Sequence, residues 1–155
     1  MANVYFGLGA NLGDKEQNLT KAVLELSLRV GEVLKISSFY RSQPWGFESE
    51  NEFLNMVVLV KTDLLPLELL LKTQEIELQL GRTSKTTSNY SDRIIDIDIL
   101  FYDDLIFTHP KLKIPHPLLV ERDFVLIPLS EIAPNLVHPV LEKSISELVA
   151  LQSML

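Results

Sequence analysis

The sequence predicts an α+β fold, with helices packed on an antiparallel sheet, and two observations lead there. Runs with strand periodicity alternate with runs of helix periodicity, and two consecutive strand-type runs stand between the first two helices. Single strands alternating with helices would instead suggest a parallel doubly wound sheet. The order β-α-β-β-α-β, followed by a small hairpin and further helices, fits a ferredoxin-like sheet in a single domain of 155 residues.

Each element has a local reason. "NVYFGLGA" alternates Val4, Phe6 and Leu8 with Tyr5 and forms the first strand. "NLGDKEQNLTKAVLELSLRVG" is a helix, capped by Asp14 with Gln17 as its capping-box partner. Its buried stripe is Leu19, Ala22, Val23, Leu26 and Val30, and Gly31 supplies the stop. "VLKISSFYRS" is a second strand, "QPWGFESEN" a loop, and "FLNMVVLVKT" a third strand. The unbroken apolar run from Met56 to Val60 in that third strand predicts burial on both faces. "LPLELLLKTQEIELQLG" is a second helix, with Pro66 in its first turn and Gly81 at its end. A long polar stretch, "RTSKTTSNYSD", leads to the strand "RIIDIDIL". Asp103-Asp104 then make a hairpin turn before the short strand "LIF", and "HPKLKIPHP" carries too many prolines to be regular. "LLVERDFVLIPLSEIA" is a helix ending near Pro134, and "SISELVALQSML" a terminal helix with a Ser144/Glu147 capping box.

Composition narrows the function classes. Net charge is −7, which argues against non-specific nucleic-acid binding, and charges punctuate every apolar run before it reaches membrane-spanning length. The start "MANVYFGLGANLGD" has no basic segment followed by a long apolar stretch, so no secretory signal is expected. With no cysteine there are no disulfides or thiolate metal sites, which fits a cytoplasmic enzyme.

The chemistry concentrates in "RIIDIDILFYDD". Alternate side chains of a strand share a face, so Asp96 and Asp98 point the same way, with Ile95, Ile97, Ile99 and Phe101 turned to the core. Their Cα atoms would lie about 6.6 Å apart, close enough for the carboxylates to share one cation or bridge two. Mg²⁺ takes such hard oxygen ligands and completes its shell with water and phosphate. A solvated outer strand face is an equal reading of the pair by itself. Arg82, Lys85 and Arg93 beside it favour function, because phosphoryl transfer needs a metal together with cations at the transferring group. "GLGANLG" has one residue too many for a dinucleotide fingerprint and reads as a strand-to-helix turn, and no Walker A motif occurs. His109, His116 and His138 have no zinc-ligand spacing. His138 reads as structural, whereas His116 in "IPHP" could be structural or reach a phosphate. Trp45, Phe53 and Phe124 are core residues by default, though Trp45 in a Pro/Gly loop could equally wall a pocket for a flat ligand. Asn55, an amide in an apolar strand, needs partners that a heterocyclic ligand could supply.

Taken together, "GLGANLGD", "SSFYRSQPWG", "FLNMVV", "TQEIELQLGR", "DRIIDIDIL", "IPHP" and "ERDFVLIPLSEIAP" resemble the 6-hydroxymethyl-7,8-dihydropterin pyrophosphokinase family of folate biosynthesis, in order and over nearly the whole chain. The resemblance implies a ferredoxin-like α/β sandwich that transfers pyrophosphate from ATP to the pterin hydroxymethyl group and releases AMP. By the same analogy Asp96 and Asp98 hold two Mg²⁺ ions, and Arg82 and Arg93 contact the phosphates. Gln74, Glu77, His116 and Arg122 match nucleotide-binding positions, with Lys111 where an arginine is frequent. Ser42, Trp45, Phe53, Asn55 and Phe124 match the pterin pocket: Phe53 and Phe124 sandwich the ring and Asn55 reads its edge. Ser84, Tyr90 and Asp92 depart from the family's pattern. A monomer with ATP and the dihydropterin as its partners, and neither nucleic acid nor membrane, is the expectation. Two other readings compete: a different Mg²⁺-dependent phosphoryl or nucleotidyl transferase using the same acid pair, and a ferredoxin-like binding module without catalysis.

Overall fold

The computed structural model describes residues 1–45, 50–81 and 94–154. In chain order the elements are β1 (Ala2–Ala10), α1 (Lys15–Arg29), β2 (Gly31–Ile36), β3 (Tyr40–Ser42), β4 (Phe53–Thr62) and α2 (Pro66–Gln79). After the undescribed segment come β5 (Asp96–Tyr102), β6 (Phe107–His109), β7 (Leu112–Ile114), α3 (Asp123–Ile132) and α4 (Ile145–Ser153). The main sheet has the order β2-β4-β1-β5, every pair antiparallel, with β3 also paired to β4. This is the α+β, ferredoxin-like arrangement that the element order predicts. The central strand β4 is buried from Leu54 through Val60, as its unbroken apolar run requires.

Two cores sandwich the sheet. On one face α1 and α2 bury Val4, Phe6, Leu8, Leu26, Val58, Ile76, Ile97 and Ile99, among others. On the other face α3 and α4 pack Leu126, Leu129, Ile145 and Leu148 against Val57, Leu100 and Phe101. Each such side chain contributes roughly 1.5–3 kcal/mol on full burial. The helix ends follow local chemistry. The Asp14 carboxylate accepts from the Gln17 N–H at 3.1 Å, Ser144 and Glu147 form a complete capping box, and Gly81 at φ +112° ends α2.

Six expectations change. The second strand breaks into β2 and β3 at Ser37, which keeps its N–H on the Val57 carbonyl at 2.9 Å but offers its hydroxyl to the Val57 N–H at 2.8 Å, while the Glu131 carboxylate takes the Ser38 N–H and hydroxyl. Gly31 begins β2 and is not an αL helix stop; an added Cβ would lie 2.0 Å from the Lys61 carbonyl oxygen, so close strand approach explains the glycine. In β5 a bulge pairs Tyr5 with Phe101 but Phe6 with Ile99, leaving Leu100 as an extra residue. Phe101 therefore turns away from Ile95, Ile97 and Ile99 and joins the second core. "HPKLKIPHP" is partly regular: β6 and β7 form a two-stranded hairpin, with Pro110 in its turn and Pro115 and Pro117 beyond its end. Asp103-Asp104 make a turn into that hairpin and are not its tip. Finally, the helix expected from Leu118 is interrupted at Arg122, whose backbone is extended between a 3-10 turn and α3.

Three links pin α3 to the β2–β3 edge: the Ser38–Glu131 bonds, the Tyr40 hydroxyl to Asp123 at 3.4 Å, and the Lys35 ammonium to the Ile132 carbonyl at 3.3 Å. Burial, reinforced by Asp123, pushes the Tyr40 hydroxyl above its ordinary range, so it stays a donor. Arg122 and Phe124 are thereby held at a fixed place beside the sheet.

Candidate active site

Cross-strand partners present their side chains on the same face, so the register of three strands builds the site. Asn55 on β4 lies opposite Gly9 on β1, and Gly9 opposite Asp96 on β5. The next row is Val57, Gly7 and Asp98, and the row beyond is Leu59, Tyr5 and Phe101, the last two in the α3–α4 core. The two aspartates thus share a face, as alternation predicts, and the end of this face that α3 leaves uncovered carries them. Between Asn55 and Asp96 the floor is glycine. A Cβ on Gly9 would lie 3.2 Å from the Asn55 Oδ1 and 3.7 Å from the Phe53 ring. Gly9 is therefore cleft floor and Gly7 packs beneath Leu100, neither forming a turn, and Gly13 at φ +68° makes the strand-to-helix turn. Sequence reasoning missed this role, although both glycines interrupt an otherwise alternating strand, which signals close approach to the backbone. Two inter-strand spacings, about 10 Å, separate the Asn55 backbone from that of Asp96.

At one end of the floor sits Asn55, buried at 4% exposure. Its amide nitrogen donates to the Tyr40 carbonyl at 3.0 Å and the Ser42 hydroxyl at 2.8 Å. The protein itself thus supplies acceptors for this amide nitrogen, and Asn55 and Ser42 are joined as one polar edge. At the other end Arg122, nearly buried, stands 3.7 Å from the Asp98 carboxylate. Its guanidinium stacks over Trp45 at 4.5 Å and lies 5.6 Å from the centre of Phe124. One side chain therefore ties the aromatic wall to the acid pair, and Trp45 packs on Arg122 as well as bordering the cleft.

His116 lies beside the bulge: its N–H donates to the Leu100 carbonyl at 3.0 Å, and its Nδ1 accepts from the Leu118 N–H at 3.2 Å. That leaves Nε2 as the donor of the neutral ring. Gln74 and Glu77 stand one turn apart on α2, Gln74 half-buried and Glu77 at 1% exposure. The Glu77 carboxylate accepts from the Ile97 N–H at 2.8 Å, between the two aspartates. Lys111 is exposed in the β6–β7 turn. Arg82 and Arg93, together with Ser84, Lys85, Tyr90 and Asp92, lie outside the described residues.

Among the described residues, no group of three His, Asp or Glu side chains could hold a metal ion. Two half-exposed carboxylates on one face suit a hard cation that completes its shell with water and phosphate oxygens, which is the habit of Mg²⁺. His138 belongs elsewhere. It packs edge-on against Phe101 at 5.6 Å, and its Nδ1 accepts from the Val140 and Leu141 N–H groups, a structural role as expected.

A sequence model of the 7,8-dihydro-6-hydroxymethylpterin-pyrophosphokinase family matches residues 5–134. The chain is 47% identical over 147 residues to a 2-amino-4-hydroxy-6-hydroxymethyldihydropteridine pyrophosphokinase of Aquifex aeolicus, covering 95% of this chain and 90% of that one. To the enzyme of the same name from Bacillus subtilis it is 44% identical over 129 residues, covering 83% of this chain and 76% of that one. A folic acid synthesis protein of Dictyostelium discoideum is 44% identical over 89% of this chain, which spans 20% of that longer protein. Among solved structures, the wild-type HPPK-DHPS of Plasmodium falciparum superposes with a TM-score of 0.76 at 18% identity, a likeness of fold. The match covers 96% of this chain and 44% of that one, so this chain spans under half the length of the solved structures it matches.

Proposed function

This chain belongs to the 7,8-dihydro-6-hydroxymethylpterin-pyrophosphokinase family, and from that premise we propose how its own residues carry the reaction. The enzyme transfers pyrophosphate from ATP to the hydroxymethyl group of the dihydropterin in folate biosynthesis. The hydroxymethyl oxygen bonds to the β-phosphorus, the bond from that phosphorus to the α,β-bridging oxygen breaks, and AMP leaves. The finer assignment rests on one observation: a glycine-floored strip with a paired Asn55–Ser42 edge at one end and the Asp96–Asp98 carboxylates at the other.

In this reading the pterin lies on the Gly9 floor, its ring packed by Phe53, Phe124 and Trp45 and its edge bonded by Asn55 and Ser42. Its hydroxymethyl arm then points along the floor toward the acid pair. Asp96 and Asp98 offer their oxygens to Mg²⁺, two ions by the family analogy. Held by these two carboxylates, a hard cation would supply charge neutralisation at the transferring phosphate. Arg122 exchanges Asp98 for a phosphate, which keeps a partner for each charge throughout. The His116 Nε2–H, Gln74 and Lys111 bind or support the nucleotide, Glu77 contributes through its bond to the Ile97 backbone, and Arg82 and Arg93 stabilise charge on the transferring group. Mg²⁺ dependence, a single catalytic domain acting as a monomer, and cytoplasmic location complete the proposal. Among the described residues no helix is long and apolar enough to cross a membrane.

Incubation with ATP, Mg²⁺ and the hydroxymethyl dihydropterin tests the reading. AMP formed one-for-one with pterin diphosphate, and lost on chelation, is expected. ADP as product would indicate another phosphoryl transferase, and no turnover would indicate a binding module.

A further inference from the structure

Among the described residues, strand β5 has a strand neighbour on one side only, β1. The outward N–H groups of such an edge need other partners or water. At Ile97 the partner is the Glu77 carboxylate of α2, 2.8 Å away and at 1% exposure. A buried carboxylate is costly unless it is well bonded. This one lies near two further carboxylates, so electrostatics disfavours it as well. A side-chain oxygen nevertheless suits the position, because the Ile97 N–H needs an acceptor there.

We propose that Glu77 is a positioning residue, which holds the Asp96–Ile97–Asp98 backbone so that both aspartates face the cation with fixed spacing. The Ile97 peptide lies between the two aspartates, and any turn of its plane swings both carboxylates. Glu77 is not a third ligand. Ile97 faces the α1–α2 core, Glu77 reaches its backbone from α2 on that side, and the aspartates occupy the opposite face. The bond also joins the C-terminal turn of α2 to the start of β5, the two places between which residues 82–93 run. The proposal rests on Asp96 and Asp98 being the cation-binding pair.

The test compares Glu77→Met, which removes the acceptor, with Glu77→Gln, which keeps one, using readouts that do not need turnover. In metal-free wild-type protein the Ile97 amide is expected to resist hydrogen exchange by at least about 100-fold, protection that Glu77→Met removes. Mn²⁺ binding with a non-hydrolysable ATP analogue is expected to weaken about 10- to 100-fold in Glu77→Met, the usual effect of losing an outer-shell partner. Glu77→Gln should stay within about threefold of wild type in both measurements. Equal Mn²⁺ losses in the two variants would assign Glu77 a direct charge contact and overturn the proposal. An exposed Ile97 amide with normal Mn²⁺ binding would overturn it too. Should Glu77→Met fail to fold, Glu77→Gln decides: Ile97 protected with Mn²⁺ retained supports the role, and Ile97 protected with Mn²⁺ lost refutes it. A failed transfer assay would overturn the proposed function and leave these two readouts independent of it.

Discussion

Replacing Asn55 by alanine separates the substrate-reading role of this residue from its structural one. Asn55 is 4% exposed and donates to the Tyr40 carbonyl and the Ser42 hydroxyl. Each such bond contributes about 0.5–1.5 kcal/mol net, so the pair contributes roughly 1–3 kcal/mol. Ser42 is half-buried and regains part of its loss from water, which puts the expected cost near 2 kcal/mol. For a domain of this size that lowers the melting temperature by about 4–8 °C. The pterin loses its partner on the same edge, so its KM is expected to rise by about 10- to 100-fold, or 1.4–2.8 kcal/mol. The KM for ATP should stay within about twofold, because the phosphates bind at the far end of the glycine floor, about 10 Å away. Steady-state kinetics with each substrate varied, alongside a thermal melt, gives all three numbers. A matching rise in the ATP KM, or an unchanged pterin KM in a folded variant, would refute the two-ended site.

Other predictions follow from the same contacts. Ser37→Ala strands the buried Val57 N–H, and should cost about 1–3 kcal/mol in urea unfolding without altering either KM. His138 is held below its ordinary value of 6.5 by burial, so the unfolded chain takes up a proton there before the folded one does. Its stabilising contribution is complete above that value and falls away as pH drops toward the lowered folded value. His138→Asn keeps an acceptor for the Val140 and Leu141 N–H groups, and should flatten the acid side of a urea-midpoint-against-pH profile. An equally steep profile in that variant would assign the acid sensitivity to other groups.

Much of the fold could be read in the residues because local and tertiary preferences agree. Asp14, Ser144 and Pro66 mark helix starts that the structure uses, and β4 coincides with "FLNMVVLVKT". Where reading failed, a tertiary partner had decided. The second strand breaks at Ser37 because Val57 and Glu131 lie across from it, far away in sequence. The Leu100 bulge reverses Phe101, since the second core needs an aromatic where simple alternation would turn it away. "HPKLKIPHP" is regular because its prolines fall outside the paired residues. Of the site, the shared face of Asp96 and Asp98 follows from strand periodicity, while their partners do not. Arg122 reaches Asp98 from the start of α3, and Trp45 from a loop, contacts that no local pattern encodes. The family resemblance brought those residues together before any geometry did. The glycine floor could be seen but was misread, because spacing suggested a turn while the register uses Gly7 and Gly9 inside β1.

The central claim is that the Asp96–Asp98 pair carries pyrophosphoryl transfer, and Asp98→Ala tests it most directly. The Asp98 side chain is 25% exposed and its 3.7 Å ion pair with Arg122 is long, so the variant is expected to fold with a near-normal melting temperature. With ATP, Mg²⁺ and the hydroxymethyl dihydropterin, wild type should yield AMP and pterin diphosphate in equal amounts. The variant should yield less than about a thousandth of that rate, the scale on which electrostatic stabilisation of transferring phosphate acts. A folded Asp98→Ala enzyme with near-wild-type AMP production would contradict the account.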